Sequence, residues 1–365
     1  MACVLYCTGT LHAQVPAVQV PNQQPPALPP SPVVSAVVNA PAFREVKDEV
    51  GRSVRIPQTV GRIVSLAPSL TETIYALGLQ DHLVGDTAQC DYPPEAKKIS
   101  KVGGVTNPSI EEIAALHPDL VLVAAVNRFE TVRALDDLNI PVYETDPHTI
   151  EEIIASTTKL ADVLGAPQSG LSVAADLQQR LADLHSRLAD QTARRVLFVV
   201  WTDPLISIGK NTFIADALNK AGAVSIVEAT QDWPHLSLEE AVRLQPEFLI
   251  FTAENDEKAP DPAILASLPG WRSLEAVKNH RFVVVSDAVD RPAPRIVSAI
   301  EEMAHQLHAD AFAPTTPNPA PANQDNLKKD TPAPEKNSPP GSKIPVSLRS
   351  VVLPQNQVRN VACSR

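Results

Sequence analysis

Residues 109–123 read SIEEIAALHPDLVLV, and residues 237–251 read SLEEAVRLQPEFLIF. The second segment starts 128 residues after the first. Each opens on a serine, Ser109 or Ser237, with Glu112 or Glu240 three residues on. That is the pattern of a capping box at a helix N-terminus. A short amphipathic helix follows, then a proline that stops it, Pro118 or Pro246, then an apolar strand. The strand segments 120–123 and 248–251 are apolar on both faces, which suits a parallel sheet covered by helices. The duplication predicts two α/β lobes of one plan.

The neighbouring segments extend the repeat. RIVSL at 62–66 reads as a buried strand, and APSLTETIYALG after it as a helix ending at Gly78. RVLFVVW at 195–201 and NTFIADALNKAG, ending at Gly222, repeat that order. Further strands are expected at 141–143 and 282–285. Between the lobes, Leu171, Ala174, Leu177, Leu181, Leu184 and Leu188 recur at helical spacing, with charged and amide residues on the other face. One helix over about 168–190 spans roughly 30 Å, enough to join the lobes and to limit their hinge motion.

Composition bounds the rest. The chain has 365 residues, 35 prolines against 13 glycines, and a formal net charge of -11. It offers no basic stripe to neutralise phosphates, so nucleic acid is not an expected partner. Prolines crowd both ends, where extended solvated backbone is favoured over a core. The organisation expected is a truncated signal segment at 1–13, a Pro-rich linker at 14–42, and an N-terminal lobe at 43–165. A bridging helix at 166–192, a C-terminal lobe at 193–313 and a Pro-rich disordered tail at 314–365 follow. Export to the periplasm or cell envelope goes with that start.

Catalytic signatures are missing. No G-x-S-x-G elbow and no G-x-G-x-x-G after a strand is present. The four cysteines form no C-x-x-C, and only Cys90 falls within the body, where it reads as a small buried hydrophobe. His305 and His308 share one helix face and read as solvated, without a third metal ligand. Two lobes without a catalytic constellation point to a binding protein, not an enzyme, with its ligand in the crevice at the carboxyl ends of the strands. An enzyme on the same scaffold, or an envelope scaffold built around the Pro-rich ends, are the rivals from other classes.

At this point the residues carry a resemblance. RIVSLAPSLTETIYALG, CDYPPEAKKISKVGGVTNPSIEEIAALHPDLVL, LPGWRSLEAVKNHRFVVV and RPAPRI resemble, in order and over about 43–312, the helical-backbone family of ABC-importer substrate-binding proteins. That family carries cobalamin, ferric siderophores, haem and bare metal ions. The resemblance implies two Rossmann-like lobes with parallel sheets, a bridging helix and a ligand cleft between the lobes. It also implies delivery of a metal-chelate ligand to an ABC permease dimer by a monomeric protein, with no resident cofactor or metal. DYPP, the Gly-Gly loop and DWPHLS are most similar to the cobalamin-binding branch. Two tryptophans of that branch are here Val105 and Ala124. RPAPR resembles a loop of the siderophore binders, in which Arg meets anionic iron ligands, so a ferric-siderophore or haem binder stands as the alternative.

The ligand-binding residues expected are Tyr92, Trp201, Trp233, Asp287 and Arg291. Trp271 reads as packing. For docking, the resemblance implies one acid at the outer tip of each lobe. Glu72 and Asp216, each six residues before its helix-ending glycine, are the expected pair. Glu72 also reads as the far half of a capping box opened by Ser69.

Overall fold

A computed structural model describes residues 43–253 and 262–313. The expected signal segment, linker and tail lie outside the described residues.

The first lobe begins with an antiparallel hairpin, β1 (Phe43–Lys47) and β2 (Ser53–Pro57). Val54 and Ile56 alternate inward along β2 and cover one end of the lobe's core. Then come β3 (Ile63–Ser65), α1 (Pro68–Ala76), β4 (Leu83–Asp86), α2 (Ile110–Ala115), β5 (Leu120–Ala124), α3 (Phe129–Asp137) and β6 (Val142–Thr145). The four strands from β3 to β6 are parallel and lie in the order β4-β3-β5-β6. Every residue of β5 is buried, as a central strand covered on both faces requires.

Two helices follow, α4 (Ile150–Val163) and α5 (Pro167–Leu188). The second lobe holds β7 (Arg194–Phe198), a small hairpin of β8 (Trp201–Thr202) and β9 (Leu205–Ile206), and α6 (Phe213–Lys220). It continues through β10 (Ala223–Ser225), α7 (Leu238–Leu244), β11 (Phe248–Ala253), α8 (Pro262–Ser267), α9 (Glu275–Lys278), β12 (Phe282–Ser286) and α10 (Ile296–Leu307). Its parallel sheet runs β10-β7-β11-β12. In both sheets the second strand sits outside the first, and the third and fourth follow on the other side. The edge strands β4 and β10 are short, and the sequence pattern did not predict them.

The repeat is reproduced down to its caps. The Ser109 hydroxyl accepts from the Glu112 N–H at 3.2 Å, and the Ser237 hydroxyl from the Glu240 N–H at 3.1 Å. Each helix then exits through a left-handed residue just before its proline, His117 at φ 45° and Gln245 at φ 44°. Helix α1 departs from expectation. Ala67 is its N-cap and Pro68, whose φ is preset for a first helical residue, is N1. Ser69 therefore lies inside the helix, and the capping box with Glu72 does not form.

The connection is also thicker than one helix. The N-terminal half of α4 puts Ile150, Ile153 and Ile154 into the second lobe's core. Its C-terminal half puts Leu160 and Val163 into the first lobe's core. Helix α5 packs closely along it, because Gly170 leaves only 2.5 Å between a would-be Cβ and the Cβ of Ala161. Gly170 takes the inward place at that turn, and Leu171, expected in the apolar stripe, is exposed.

Gly78 and Gly222 end equivalent helices at the same φ of +74°, in different surroundings. A Cβ on Gly78 would meet open space, whereas one on Gly222 would lie 2.7 Å from Nε2 of His308. That ring, expected to be solvated, is buried and hydrogen-bonds the Gly222 carbonyl at 3.0 Å. Gly78→Ala should cost about 1 kcal/mol, the penalty of a left-handed L-residue. Gly222→Ala should cost clearly more, and chemical denaturation of the two variants would show the ranking.

Candidate functional site

In parallel α/β lobes the ligand crevice lies beyond the carboxyl ends of the strands. In the first lobe the chain leaves β4 at Asp86 and folds back over it. Val102 N–H donates to the Asp86 carbonyl at 2.8 Å and Ala88 N–H to the Gly103 carbonyl at 2.8 Å. Lys101 Nζ ties the fold-back together by donating to Asp86 Oδ1 at 2.7 Å, the Cys90 carbonyl at 2.9 Å and the Ala96 carbonyl at 3.0 Å. Cys90 is buried, with Thr71 and Thr87 hydroxyls each 3.2 Å from its sulfur. The Gly-Gly loop is fixed by Asn127, which donates to the carbonyls of Leu66 at 2.9 Å and Val105 at 2.8 Å. This framework presents Asp91 and Tyr92 at the surface.

The second lobe contributes two groups. The chain leaves β12 through Asp287 and reaches α10 by way of Arg291 and Arg295, held apart by Pro292-Ala293-Pro294. Segment 232–236 runs beside β9: Ser207 N–H donates to the Pro234 carbonyl at 3.1 Å and Leu236 N–H to the Leu205 carbonyl at 3.0 Å. Gly209 permits this approach, since a Cβ there would lie 1.8 Å from the Gln231 carbonyl oxygen. Trp201, paired with Ile206, and Trp233 therefore belong to one edge structure of the second lobe.

Across the lobes, charged groups meet. Glu72 on α1 is only 4% exposed. Its Oε1 accepts from Arg291 Nη1 at 2.7 Å and Arg295 Nη2 at 2.8 Å, and its Oε2 from Arg295 Nε at 2.8 Å. Arg291 Nη2 also reaches Asp91 at 2.9 Å and Asp287 at 2.8 Å, and Arg295 Nη1 donates to Asp287 at 2.9 Å. The Arg295 guanidinium carbon lies 4.0 Å from the centre of the Tyr92 ring. Burial works against both guanidinium charges, but the hydrogen bonds and charges of Glu72 and Asp287 outweigh it and raise both pKa values.

Of the ligand-site residues expected from sequence, Tyr92, Asp287 and Arg291 come together here, and Trp201 and Trp233 sit together on the β8–β9 edge. Tyr92 is 43% exposed and Trp233 38%, while Trp201 is half-buried with its Nε1 donating to the Asp203 carbonyl at 2.8 Å. Trp271 is buried among Leu265, Leu274 and Val277. Val126 and Phe129, where the chain leaves β5, are exposed apolar side chains that were not among the individual ligand-binding residues expected. Their signal was two apolar residues shortly after an all-apolar strand. Two surface depressions, one lined by Arg52, Arg55 and Asn139 and the other by Lys159, Leu171 and Ala175, lie away from the charged cluster.

The expected docking acids are placed otherwise. Glu72 is no outer tip, because two guanidiniums of the opposite lobe enclose it. Asp216 is part-buried, and its Oδ2 accepts from the Ile150 N–H at 2.8 Å, which holds the first turn of α4. Glu72 thus faces the other lobe, and Asp216 faces the end of α4 that packs in its own lobe's core. Among the described residues no three His, Cys, Asp or Glu side chains converge as a metal site, and no helix is long and apolar enough to cross a membrane.

With this geometry in view, comparison with known proteins is informative. The family model described as periplasmic binding protein matches residues 63–289. An uncharacterised ABC transporter substrate-binding lipoprotein of Bacillus subtilis is 30% identical over 276 residues, covering 73% of this chain and 86% of its own length. A vitamin B12-binding protein of Vibrio cholerae is 30% identical over 258 residues, covering 69% of this chain and 90% of its own. The solved structure of a periplasmic haem-binding protein from Roseiflexus, in apo form, aligns with a TM-score of 0.62 at 26% identity, over 69% of this chain and 99% of that one. The chain belongs to the periplasmic binding protein family. It is a two-lobed binding protein of the cell envelope, and it captures a substrate for transport without transforming it.

Two outcomes follow from the site. Glu72→Ala leaves two partly buried guanidiniums without the more buried of their two shared partners, so stability should fall by about 3 kcal/mol in denaturant titrations. Asp86 is fully buried, and burial pushes its carboxyl up to about 6 despite the opposing Lys101. A raised carboxyl pKa contributes stability that is complete below the unfolded value near 4 and lost as pH rises through about 6. Asp86→Asn should therefore gain on the parent protein by about 2 kcal/mol between pH 4 and pH 7. A constant difference across parallel melting curves would contradict this.

Proposed function

We propose that this protein captures a metal chelate, cobalamin or another corrinoid, between its lobes and delivers it to an ABC import permease. The observation that carries the reading is the 30% identity to the Vibrio vitamin B12-binding protein over 90% of that protein's length. The site supports it. Tyr92 on one lobe and Trp233 on the other offer exposed aromatic surface at the strand ends, as a large flat ligand requires, and Val126 and Phe129 add apolar surface. A haem or ferric-siderophore ligand is the second reading, favoured by the likeness to the haem-binding protein.

Docking acids have to be exposed, one per lobe, at equivalent positions. Glu111 and Glu239 meet these conditions: both are exposed, both stand in the first turn of the repeat helices α2 and α7, and they are 128 residues apart. Their neighbours differ, since Glu240 is engaged by Arg243 at 3.0 Å. Such charges act mainly on encounter and orientation.

The decisive experiment mixes purified protein with cyanocobalamin, haemin and a ferric siderophore and follows tryptophan fluorescence and the retained chromophore. Cobalamin should bind, and Trp233→Ala should weaken it by about 1–3 kcal/mol through lost apolar contact. A response confined to haemin or the siderophore moves the ligand to the second reading. In the double variant Glu111→Ala, Glu239→Ala, ligand affinity should hold while uptake and permease association fall. Unimpaired uptake would remove the docking role.

A further inference from the structure

Tyr92 is an exposed aromatic of the first lobe, and no apolar core of that lobe takes in its ring. A ring left to turn makes a poor wall, because binding has to immobilise it at a cost in side-chain entropy. The group that meets the ring comes from the other lobe. The Arg295 guanidinium carbon lies 4.0 Å from the ring centre, close enough to cover one face. The exposed surface of Tyr92 is then its other face and its edge.

Arg295 is itself held at three points. Its Nε and Nη2 donate to the two oxygens of Glu72, each at 2.8 Å, and its Nη1 donates to Asp287 at 2.9 Å. A forked pair of bonds to one carboxylate fixes the plane of a guanidinium. Glu72 ties that plane to the first lobe, and Asp287 ties it to the second. The Arg295 side chain is 17% exposed, so a partly buried group supports an exposed ring.

We propose that Arg295 is a positioning residue for ligand capture, clamping the Tyr92 ring from one face so that the other stands ready as a flat wall of the cleft. The inference rests on the metal-chelate reading above for what Tyr92 meets, and it adds to that site a residue that acts through another. It also makes the first lobe's aromatic wall a joint product of both lobes. Lysine at this position keeps the charge but has no planar fork, so it can neither grip both oxygens of Glu72 in one plane nor lie flat on the ring. Methionine keeps an apolar stem and loses the charge. In either case Glu72 retains Arg291 at 2.7 Å, so the buried acid is not stranded.

The test reads the ring and the ligand separately. The protein is labelled with 3-fluorotyrosine, and the fluorine resonance of Tyr92 is identified by its loss in Tyr92→Leu. Arg295→Lys and Arg295→Met should shift that resonance and leave those of Tyr75 and Tyr143, which pack in the first lobe's core, in place. Affinity for cyanocobalamin and for haemin is then titrated in the parent protein, Arg295→Met, Tyr92→Leu and the double variant. Arg295→Met should weaken binding of the chelate by about three- to tenfold, the scale of one cation–π contact. In the Tyr92→Leu background the same change should cost less than about twofold, because the ring it acts through is gone. Circular dichroism checks folding, and Arg295→Lys takes the place of Arg295→Met in the cycle if the latter does not fold. Equal losses in both backgrounds mean that Arg295 touches the ligand directly, and they overturn the proposal, as does an unmoved Tyr92 resonance. If a chelate binds parent and Arg295→Met alike, the metal-chelate reading stands and the positioning role falls. If neither chelate binds, that reading fails, and the Tyr92 resonance alone decides whether Arg295 holds the ring.

Discussion

A carboxylate on one lobe held by two guanidiniums of the other is the interaction on which the arrangement of the cleft depends. Glu72 is free of any capping duty because Pro68 starts α1 two residues earlier than a Ser69 cap would. The arginines reach it because a Pro-Ala-Pro spacer sets them four residues apart on the approach to α10. Buried ion pairs contribute little net stability, since desolvation offsets most of the Coulomb gain. Their effect lies in geometry: with Glu72 paired to both arginines, only a narrow set of lobe orientations satisfies every charge. The same contacts bring Tyr92 under Arg295 and fix one wall of the cleft.

The helical connection imposes a matching restriction from the other side. Helix α4 belongs to both cores, and α5 lies close along it through Gly170. Opening the lobes about a flexible strand pair would require only loop dihedrals to change. Here it would drag isoleucines of α4 out of one core or leucines out of the other. Side chains in packed interiors do not slide freely, so motion of this kind is small in amplitude. Capture and release then rest on loops and side chains at the cleft, with the lobes nearly fixed.

Much of this was legible in the sequence where the signal was local. The paired capping serines, the prolines after α2 and α7, and the continuous apolar runs of β5 and β11 each follow from a few neighbouring residues. Strands β4 and β10 escaped because three or four residues on a sheet edge carry too little pattern, and Gly85 breaks what there is. Tyr92, Asp287 and Arg291 were placed at the cleft because they follow strands. What they bind was not legible, since Glu72 lies 219 positions before Arg291 and nothing local to either names the other. The error over Glu72 has the same origin. Positional equivalence with Asp216 was real, but exposure is a tertiary property, and both acids turned out to face inward contacts.

The duplication also explains why the two walls of the cleft differ. Caps, core strands and helix-ending glycines make the common frame, and these recur in both lobes. The segments between strand and helix are free of that constraint, because they lie beyond the sheet. The first lobe uses its freedom to fold a long loop back over β4, pinned by Lys101 and Asn127, and so raises Asp91 and Tyr92. The second uses it for the β8–β9 hairpin with segment 232–236 alongside, which carries Trp201 and Trp233. A symmetric frame with asymmetric rims suits a ligand with unlike faces, since each rim can be tuned without disturbing the core beneath it. Recognition is then set by a few loop residues on a scaffold whose stability lies elsewhere, and relatives with one fold can carry different chelates.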